Sequence, residues 1–281
     1  MPWLYLLIPL AFLIVFTYVP LGNLLYYSVT SWDGLDPDKP FVGLANYVEI
    51  FTQPQLFEVF GVSLYYLAAT VAQVFLALLF ATLLSFNLRL RNLFKAILFF
   101  PNLINGVAIA FAFLFFFRPG GTLDITLQFL GLGGLSKQWL GDPAVVNWSL
   151  AGVQVWRYVG LGTILFIGAI QAIDSQIFEA AELDGANAWH RFRYIIVPGV
   201  RRITGLVAIL SISASLSVFE IPWIMLGGAN GTSTFVIQAY RTAFVDGKVG
   251  LASALAVVLL LIVVAIALIQ RRLFKDEVDL V

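Results

Sequence analysis

Three long stretches of this chain carry no charged residue, and they restrict it to a small set of folds. They run from Met1 to Trp32, from Ala96 to Phe117 and from Val249 to Gln270. A helix that spans a bilayer needs about 20 consecutive, mostly apolar residues. Three other stretches are long enough but are interrupted by a few polar residues. Together the six predict transmembrane helices at about residues 4–28, 58–86, 95–117, 146–172, 203–226 and 250–270.

The composition agrees with a membrane location and excludes several classes of function. The chain is 60% hydrophobic and 11% charged, whereas soluble domains carry about 25% charged residues. The sequence has no cysteine and one histidine, which argues against disulfides, thiol chemistry and most transition-metal sites. Its net charge is zero and its basic runs are short, so nucleic acid is not an expected partner. We therefore predict an all-α, polytopic membrane protein with no metal site and no catalytic residue.

The distribution of Lys and Arg predicts the orientation of the helices. Nine of these residues fall in the loops and tail at 87–94, 173–202 and 271–281, and Lys95 directly follows the first of these loops, whereas five fall in the longer segments on the other side. Short cytoplasmic loops carry an excess of Lys and Arg. Both termini are therefore predicted to lie in the cytoplasm of a bacterial or archaeal cell. The other side is closed by segments 29–57 and 118–144, which are too short to form domains.

One cytoplasmic segment, residues 179–198, alternates charged and apolar residues at helical spacing between two membrane spans. Gly185 stands where a first short helix needs a left-handed end, and Pro198 marks the start of the next structure. This pattern predicts a helix–turn–helix at the membrane surface that another protein holds. The alternative is an amphipathic helix that rests on lipid, although its acidic residues would be repelled by anionic headgroups.

This segment resembles the "EAA" loop of ABC-importer permeases, in particular the maltose-type subunits that import carbohydrates. The order of its residues is Glu-Ala-Ala, Asp-Gly-Ala and then a proline. The resemblance extends over about residues 40–275, and its further matches are Phe41–Tyr47, Pro101–Asn102, Phe117–Gly121 and the Gly227–Gly228 pair. The chain departs from the family at Val197 and at Ala229, where the family usually has leucine and proline.

The resemblance implies a type I ABC importer permease fold with a cytoplasmic coupling helix. It also implies that the ATPase is contacted by a set of residues in this loop, namely Glu179, Ala180, Ala181, Asp184, Gly185 and Pro198. It implies as partners a second homologous permease in a heterodimer, two ATPase subunits that bind ATP and Mg, and an extracytoplasmic solute-binding protein. The chain lacks the G-x-x-x-x-G-K-[ST] nucleotide pattern, since Gly247–Lys248 is followed by Val249. We therefore expect no cofactor in this chain.

The predicted organisation has three parts. Residues 1–56 hold the first transmembrane helix and an extracytoplasmic segment. Residues 57–275 form the importer core, with a coupling loop at 173–200, and residues 276–281 form a cytoplasmic tail.

Glu220 is the most informative polar residue within a predicted span. Charged groups inside a bilayer usually face a cavity, and Ser213, Ser217 and Glu220 share one helical face at i, i+4 and i+7. Pro222 lacks an N–H and should free a nearby carbonyl. The alternative is that Glu220 pairs with Arg157 and that the serines serve helix packing.

Other polar or aromatic residues add weaker indications of a solute pathway. Gln154 and Trp156 are further candidates, because aromatic faces stack on sugars. Asn102 and Asn105 indicate either a helix break or a plain helix start at the cytoplasmic end of the third span.

The predicted function is a permease subunit for ATP-driven, binding-protein-dependent import of a sugar, oligosaccharide or related polar solute by alternating access. Alternatives are a non-sugar solute, such as a polyamine or a glycerol-phosphate, and an ion-coupled secondary transporter. The latter would show inverted repeats and several intramembrane carboxylates. An integral-membrane enzyme would need clustered His, Asp or Cys, and the sequence offers one histidine and no cysteine.

Overall fold

The structure is a computed structural model that describes residues 3–85 and 89–273. The predicted tail at 276–281 lies outside these residues. The helices are α1 (Trp3–Leu13), α2 (Val19–Tyr27), α3 (Ala45–Thr52), α4 (Pro54–Ser85), α5 (Arg91–Leu103), α6 (Gly106–Phe117), α7 (Thr122–Phe129), α8 (Pro143–Gln171), α9 (Ser175–Leu183), α10 (Ala188–Arg191), α11 (Val197–Gly199), α12 (Arg201–Leu216), α13 (Glu220–Leu226), α14 (Phe235–Phe244) and α15 (Val249–Leu273). Short π-helical segments, Ile14–Tyr18 and Phe192–Ile196, join α1 to α2 and α10 to α11. The all-α prediction is confirmed.

Within the described residues, five helical stretches are long and apolar enough to cross a membrane. They are Tyr5–Tyr27, Pro54–Ser85, Pro143–Gln171, Arg201–Leu226 and Val249–Gln270. A sixth span is present only if α5 and α6 are counted together, and their axes differ by 99°. The prediction of a multi-pass membrane protein is confirmed.

The third predicted span, 95–117, is not the continuous helix that the sequence analysis expected. Ile104 and Asn105 take extended backbone conformations between α5 and α6, and the Asn105 side chain accepts a hydrogen bond of 2.8 Å from the Val107 amide. An Asn that caps the next helix in this way offers the backbone an alternative to continuing the previous one. The break therefore lies within the apolar stretch and not at its cytoplasmic end.

The fifth span is also interrupted, after Leu216. Pro222 in α13 has no N–H for the carbonyl of Val218, as the sequence analysis anticipated. That carbonyl instead accepts a hydrogen bond of 2.6 Å from the Thr234 hydroxyl. Thr234 also caps α14, because its hydroxyl accepts from the Ile237 amide at 3.3 Å. The interruption is thus compensated by a buried side chain.

The bundle is built around α4 and α8, which pack along each other. Helix α5 packs against α8, α12 against α4 and α8, and α6 against α13. Gly160 of α8 lies directly against the backbone of Leu98 and Phe99 in α5, where a side chain would overlap them. Helices α3, α14 and α15 form a second layer against α4. The stretch Tyr5–Tyr27 has no buried residue and approaches the rest of the chain where α2 contacts α15.

The Gly-Leu-Ala-Asn-Tyr segment, residues 43–47, has a structural role that depends on the side chains of Asn46 and Tyr47. The buried Asn46 amide donates to the carbonyls of Ser28 and Thr30 at 2.9 and 2.8 Å, and the Tyr47 hydroxyl donates to Ser28 Oγ at 2.7 Å. These bonds hold α3 against the end of the first span.

The segment between α6 and α8 forms a cap that is organised around a buried carboxylate, Asp124. Its oxygens accept hydrogen bonds from Ser136 Oγ, Trp139 Nε1 and the Gly120 amide at 2.7, 2.9 and 2.9 Å. These donors, Ser136 first, hold the pKa of Asp124 below its ordinary value. Asn230 ties the cap to the turn after α13 by donating to the Leu140 carbonyl at 3.0 Å.

Candidate functional site

The predicted coupling loop contains the helix–turn–helix that the sequence indicated. Asp174 caps α9 by accepting a hydrogen bond of 3.0 Å from the Gln176 amide. Gly185 follows the end of α9 and has a φ of +79°. The Ala186 amide donates to the Ala181 carbonyl at 2.8 Å. This is the left-handed helix end that glycine favours. The predicted left-handed backbone conformation of Gly185 is confirmed.

The candidate coupling residues lie mainly on the surface of this loop. Glu179, Ala180, Asp184, Gly185 and Pro198 are exposed and Ala181 is half-buried. Two large apolar side chains are exposed beside them, Leu183 at 90% and Trp189 at 64%. Large apolar residues so exposed on a charged loop indicate a contact surface for a protein or for lipid.

An ion pair joins the two halves of the loop. Arg191 Nη1 of α10 lies 2.9 Å from Glu182 Oε1 of α9. Asn187 caps α10 by accepting a hydrogen bond of 2.9 Å from the His190 amide. The chain is then helical through Phe192–Ile196 and α11 to Val200, which precedes α12. The loop is therefore a defined structure connected directly to a span.

Within the bundle, Arg157 of α8 and Glu220 of α13 form an ion pair of 3.1 Å. This pairing was the alternative that the sequence analysis left open. Gly106, the first residue of α6, lies so close to the pair that a Cβ there would overlap the Glu220 carboxylate. The breaks before α6 and before α13 thus meet at this ion pair. Discontinuous helices are typical of solute and ion sites in transporters.

A cavity of about 470 Å³ lies beside the ion pair, between α8 and the interruption that joins α12 to α13. Its lining comprises Gln154, Arg157, Tyr158, Ala214, Ser217, Val218, Phe219, Glu220 and Ile221. The Glu220 side chain is 45% exposed and that of Arg157 is 14% exposed. A solute in this cavity would therefore meet the carboxylate more readily than the guanidinium.

A second cavity, of about 110 Å³, continues toward the end of the bundle that carries α9. It is lined in part by polar groups from three helices: Thr70, Gln73, Gln154, Tyr158, Ser211 and Ser215. Gln73 Nε2 donates to Ser211 Oγ at 3.3 Å across α4 and α12. Both cavities are bounded by Gln154, Tyr158 and Ala214. Together they form a pathway along α8, here called the polar pathway, in which these polar groups lie among apolar side chains such as Leu161, Leu165 and Val207.

The sequence-based candidates are only partly brought together by this pathway. Gln154, Ser217 and Glu220 line it. Ser213 is absent from the lining of both cavities, because the face of α12 that lines them carries Ser211, Ala214 and Ser215 and Ser213 lies on a different face. Trp156 is 41% exposed, and its ring packs 5.1 Å from that of Phe113.

Several lining residues were missed by the sequence analysis. Thr70 and Gln73 occupy one face of α4 at i and i+3, and Ser211 and Ser215 occupy one face of α12 at i and i+4. The polar periodicity of α4 was a usable signal. The serines of α12 alternate along two faces, and periodicity alone could not choose between them.

The described residues contain no group of three or more His, Cys, Asp or Glu side chains arranged to hold a metal ion. The side chains that line the two cavities offer hydrogen bonds and one pair of opposite charges. Its polar groups suit a hydroxyl-rich ligand, which can both donate and accept hydrogen bonds.

The chain is similar in sequence to a family of transport proteins and to several of its members. The sequence profile of the family described as "Binding-protein-dependent transport system inner membrane component" matches residues 73–276. The chain is 35% identical over 280 residues to the "Probable ABC transporter permease protein YurN" of Bacillus subtilis, covering 98% of this chain and 96% of the other. It is 30% identical over 276 residues to the "Multiple sugar-binding transport system permease protein MsmF" of Streptococcus mutans, covering 97% and 94%.

Among solved structures, the fold is similar to a chain of a bacterial ABC transporter involved in the import of the acidic polysaccharide alginate. The TM-score is 0.85 at 19% sequence identity, over 99% of this chain and 96% of that one.

Proposed function

The chain belongs to the family of binding-protein-dependent transport system inner membrane components, and we propose that it forms the solute pathway of an ATP-driven importer for a sugar, oligosaccharide or related polar solute. As a permease subunit it carries out transport and not catalysis, and ATP hydrolysis belongs to a separate subunit. The relative from Streptococcus mutans is named as a sugar permease, which supports a sugar as the solute.

The polar pathway along α8 is the observation that carries this proposal. Two cavities that share Gln154 and Tyr158 place amides, hydroxyls and one ion pair inside a bundle of apolar helices. Polar groups within a membrane bundle are costly and mark functional pathways. A polyhydroxylated solute would replace its bonds to water with bonds to these groups. Gln154, Ser217 and Glu220 are the predicted residues that we retain for this role.

Trp156 and Ser213 stay in the proposal with indirect roles. The Trp156 ring packs against Phe113, so it can fix the position of α8 beside Gln154. Ser213 precedes the interruption of α12, and its carbonyl accepts a hydrogen bond of 3.2 Å from the Ser217 amide.

We assign contact with the ATPase to Glu179, Ala180, Ala181, Asp184, Gly185 and Pro198. The exposure of this surface and its small alanines, which permit close approach of another backbone, support the assignment. The neighbouring Leu183 and Trp189 add apolar area of the kind that protein interfaces bury. Binding to lipid is the competing role for the same surface.

The family supports the proposed partner subunits, and the charge distribution supports the proposed orientation in the membrane. We infer that the chain pairs with a homologous permease, with two ATPase subunits that bind ATP and Mg, and with an extracytoplasmic solute-binding protein. One similar solved structure is an alginate transporter in complex with a periplasmic protein that holds an alginate pentasaccharide. The excess of Lys and Arg favours a cytoplasmic position for α9 and for both termini.

The proposed cycle is alternating access. ATP binding closes the ATPases, which moves the coupling loop, and the spans rock so that the pathway opens outward to receive solute. Hydrolysis then restores the inward-facing state.

Uptake by the reconstituted assembly tests this function. The chain, its partner permease and the ATPases are placed in proteoliposomes with the binding protein, and uptake of a labelled oligosaccharide is measured with and without ATP. We expect uptake to require ATP and to be lost with an ATPase that cannot hydrolyse it. Uptake driven by an ion gradient without ATP would instead identify a secondary transporter. Competition by a polyamine or glycerol-phosphate, but not by sugars, would identify a non-sugar importer.

A further inference from the structure

The charge of the polar pathway is balanced within the pathway itself. Among the described residues that line the two cavities, the charged side chains are Arg157 and Glu220. Their atoms Nη1 and Oε2 are 3.1 Å apart, so the two charges compensate each other. The remaining polar groups of the lining are amides and hydroxyls, which carry no net charge.

The Glu220 carboxylate is held in place from two sides. Arg157 contacts its Oε2 atom, and the backbone of Gly106 lies against the same atom. Gly106 begins the 12-residue helix α6, whose N-terminus favours negative charge. The carboxylate therefore cannot easily turn away from Arg157.

The pair keeps hydrogen-bonding capacity toward the cavity. Glu220 is 45% exposed and uses Oε2 for Arg157, so its Oε1 atom can accept a further hydrogen bond. Arg157 Nε is buried and has no hydrogen-bond partner among the described residues. A solute hydroxyl can donate a hydrogen bond to this exposed carboxylate, whereas the buried Nε atom of Arg157 is not accessible from the cavity.

A charged solute would be treated differently. An acidic solute would approach the exposed Glu220 carboxylate, while the guanidinium that could attract it is already paired and largely buried. A cationic solute would find the carboxylate neutralised by Arg157. Resting on the function proposed above, we propose that the Arg157–Glu220 pair determines the solute class: it selects an uncharged, hydroxyl-rich solute and rejects an acidic one.

Direct binding to the intact assembly tests this assignment. The assembly of both permeases and the ATPases is placed in lipid nanodiscs without the binding protein, whose own selectivity would otherwise dominate. Affinities for maltotriose, a neutral probe, and trigalacturonate, an acidic probe of similar size, are measured by equilibrium dialysis. For the wild-type chain we expect preference for maltotriose by at least about tenfold, because like charges repel in a site of low dielectric. A smaller preference overturns the proposal.

Two matched variants separate the pair from general charge effects. Glu220→Gln leaves Arg157 without its counter-charge, and it should reduce the preference for maltotriose at least about fivefold. Glu49→Gln removes the same charge from an ion pair with Lys248, which is 3.5 Å long and lies outside the pathway, so the preference should stay unchanged. Equal effects of the two substitutions overturn the proposal. If Glu220→Gln fails to assemble, the wild-type preference alone decides.

ATP-dependent uptake by the wild-type assembly is measured in parallel. Its absence counts against the proposed function, whereas uptake without discrimination between the probes counts against the ion pair alone.

Discussion

Gly106 lies against the Glu220 carboxylate with no space for a side chain between them, so the start of α6 and the start of α13 are in direct contact. The predicted consequence is that Gly106→Ala separates the two breaks or displaces Glu220 from Arg157. Overpacking of this kind costs about 1–3 kcal/mol. We expect a lower midpoint of thermal unfolding in detergent and a loss of uptake.

Gly152→Ala is the control for that substitution. A Cβ at Gly152 of α8 meets no atom within 4 Å, so both stability and uptake should be retained. Equal behaviour of the two variants would contradict the close contact.

Gly185 should tolerate only residues that accept a left-handed backbone. Its Cβ position is open, so the constraint is its φ of +79° and not a clash. Gly185→Val should therefore strain the loop by about 1–2 kcal/mol, with loss of ATPase binding and uptake but retained membrane insertion. The measurement is co-purification of the ATPase with the permease.

Gly185→Asn provides the comparison, because asparagine enters the left-handed region more readily than valine. We expect it to retain most of the ATPase binding. Normal uptake by the valine variant would refute the docking role of the loop.

Thr234 should contribute to stability through its bond to the Val218 carbonyl. Thr234→Val keeps the shape of the side chain but leaves that buried carbonyl without its 2.6 Å donor. An unsatisfied buried acceptor costs about 1–3 kcal/mol, which should appear as a lower unfolding midpoint. Thr126→Val is the control, since the Thr126 hydroxyl is exposed and bonds within its own helix. A change no larger than that of the control would argue against this role.

Acidification should loosen the cap that surrounds Asp124. Hydrogen bonds from Ser136, Trp139 and the Gly120 amide lower the pKa of this carboxylate below its ordinary value of 3.8. A group with a lowered pKa stabilises the fold above its ordinary value, and this contribution is lost as the pH falls through the folded-state pKa. Below about pH 4 we expect faster hydrogen exchange in residues 118–142.

Asp124→Asn should remove this pH dependence and raise exchange even at neutral pH. Asp38→Asn, at an exposed position in the other cap segment, should leave exchange in 118–142 unchanged. Exchange in the wild type that does not respond to acid would contradict the prediction.

The apolar runs were sufficient to predict the helical class and the membrane location, because spanning length and charge content are properties of local sequence. The turn at Gly185 was also predictable, since a helix end in the left-handed region has a local signature. A helix break near Asn102 and Asn105 could be offered only as one of two alternatives, because both residues also resemble a helix start, and the structure contains that break at Ile104 and Asn105. The packing of Gly106 against Glu220 at this break joins residues far apart in the sequence, so no local pattern could indicate it.

The pathway was predicted less completely than the fold. The Arg157–Glu220 pair joins residues 63 positions apart, and their pairing could be offered only as one of two alternatives. Ser213 was grouped with Ser217 on one helical face, but α12 turns the face that carries Ser211 and Ser215 toward the cavity. The hydrogen bond between Gln73 and Ser211 joins two helices that are far apart in the sequence. A local sequence pattern cannot indicate such a contact.

The loop and the cavity wall are joined by one segment of the chain that is almost entirely helical. From Ala188 to Leu216 the backbone is helical apart from a small deviation at Val200, which corresponds to a path of roughly 40 Å at about 1.5 Å per residue. One end is tied to α9 through Arg191 and Glu182, and the other leads into Ser217 at the cavity wall. A displacement of α9 that passes through the Glu182–Arg191 ion pair would thus reach that wall along a single segment of the backbone.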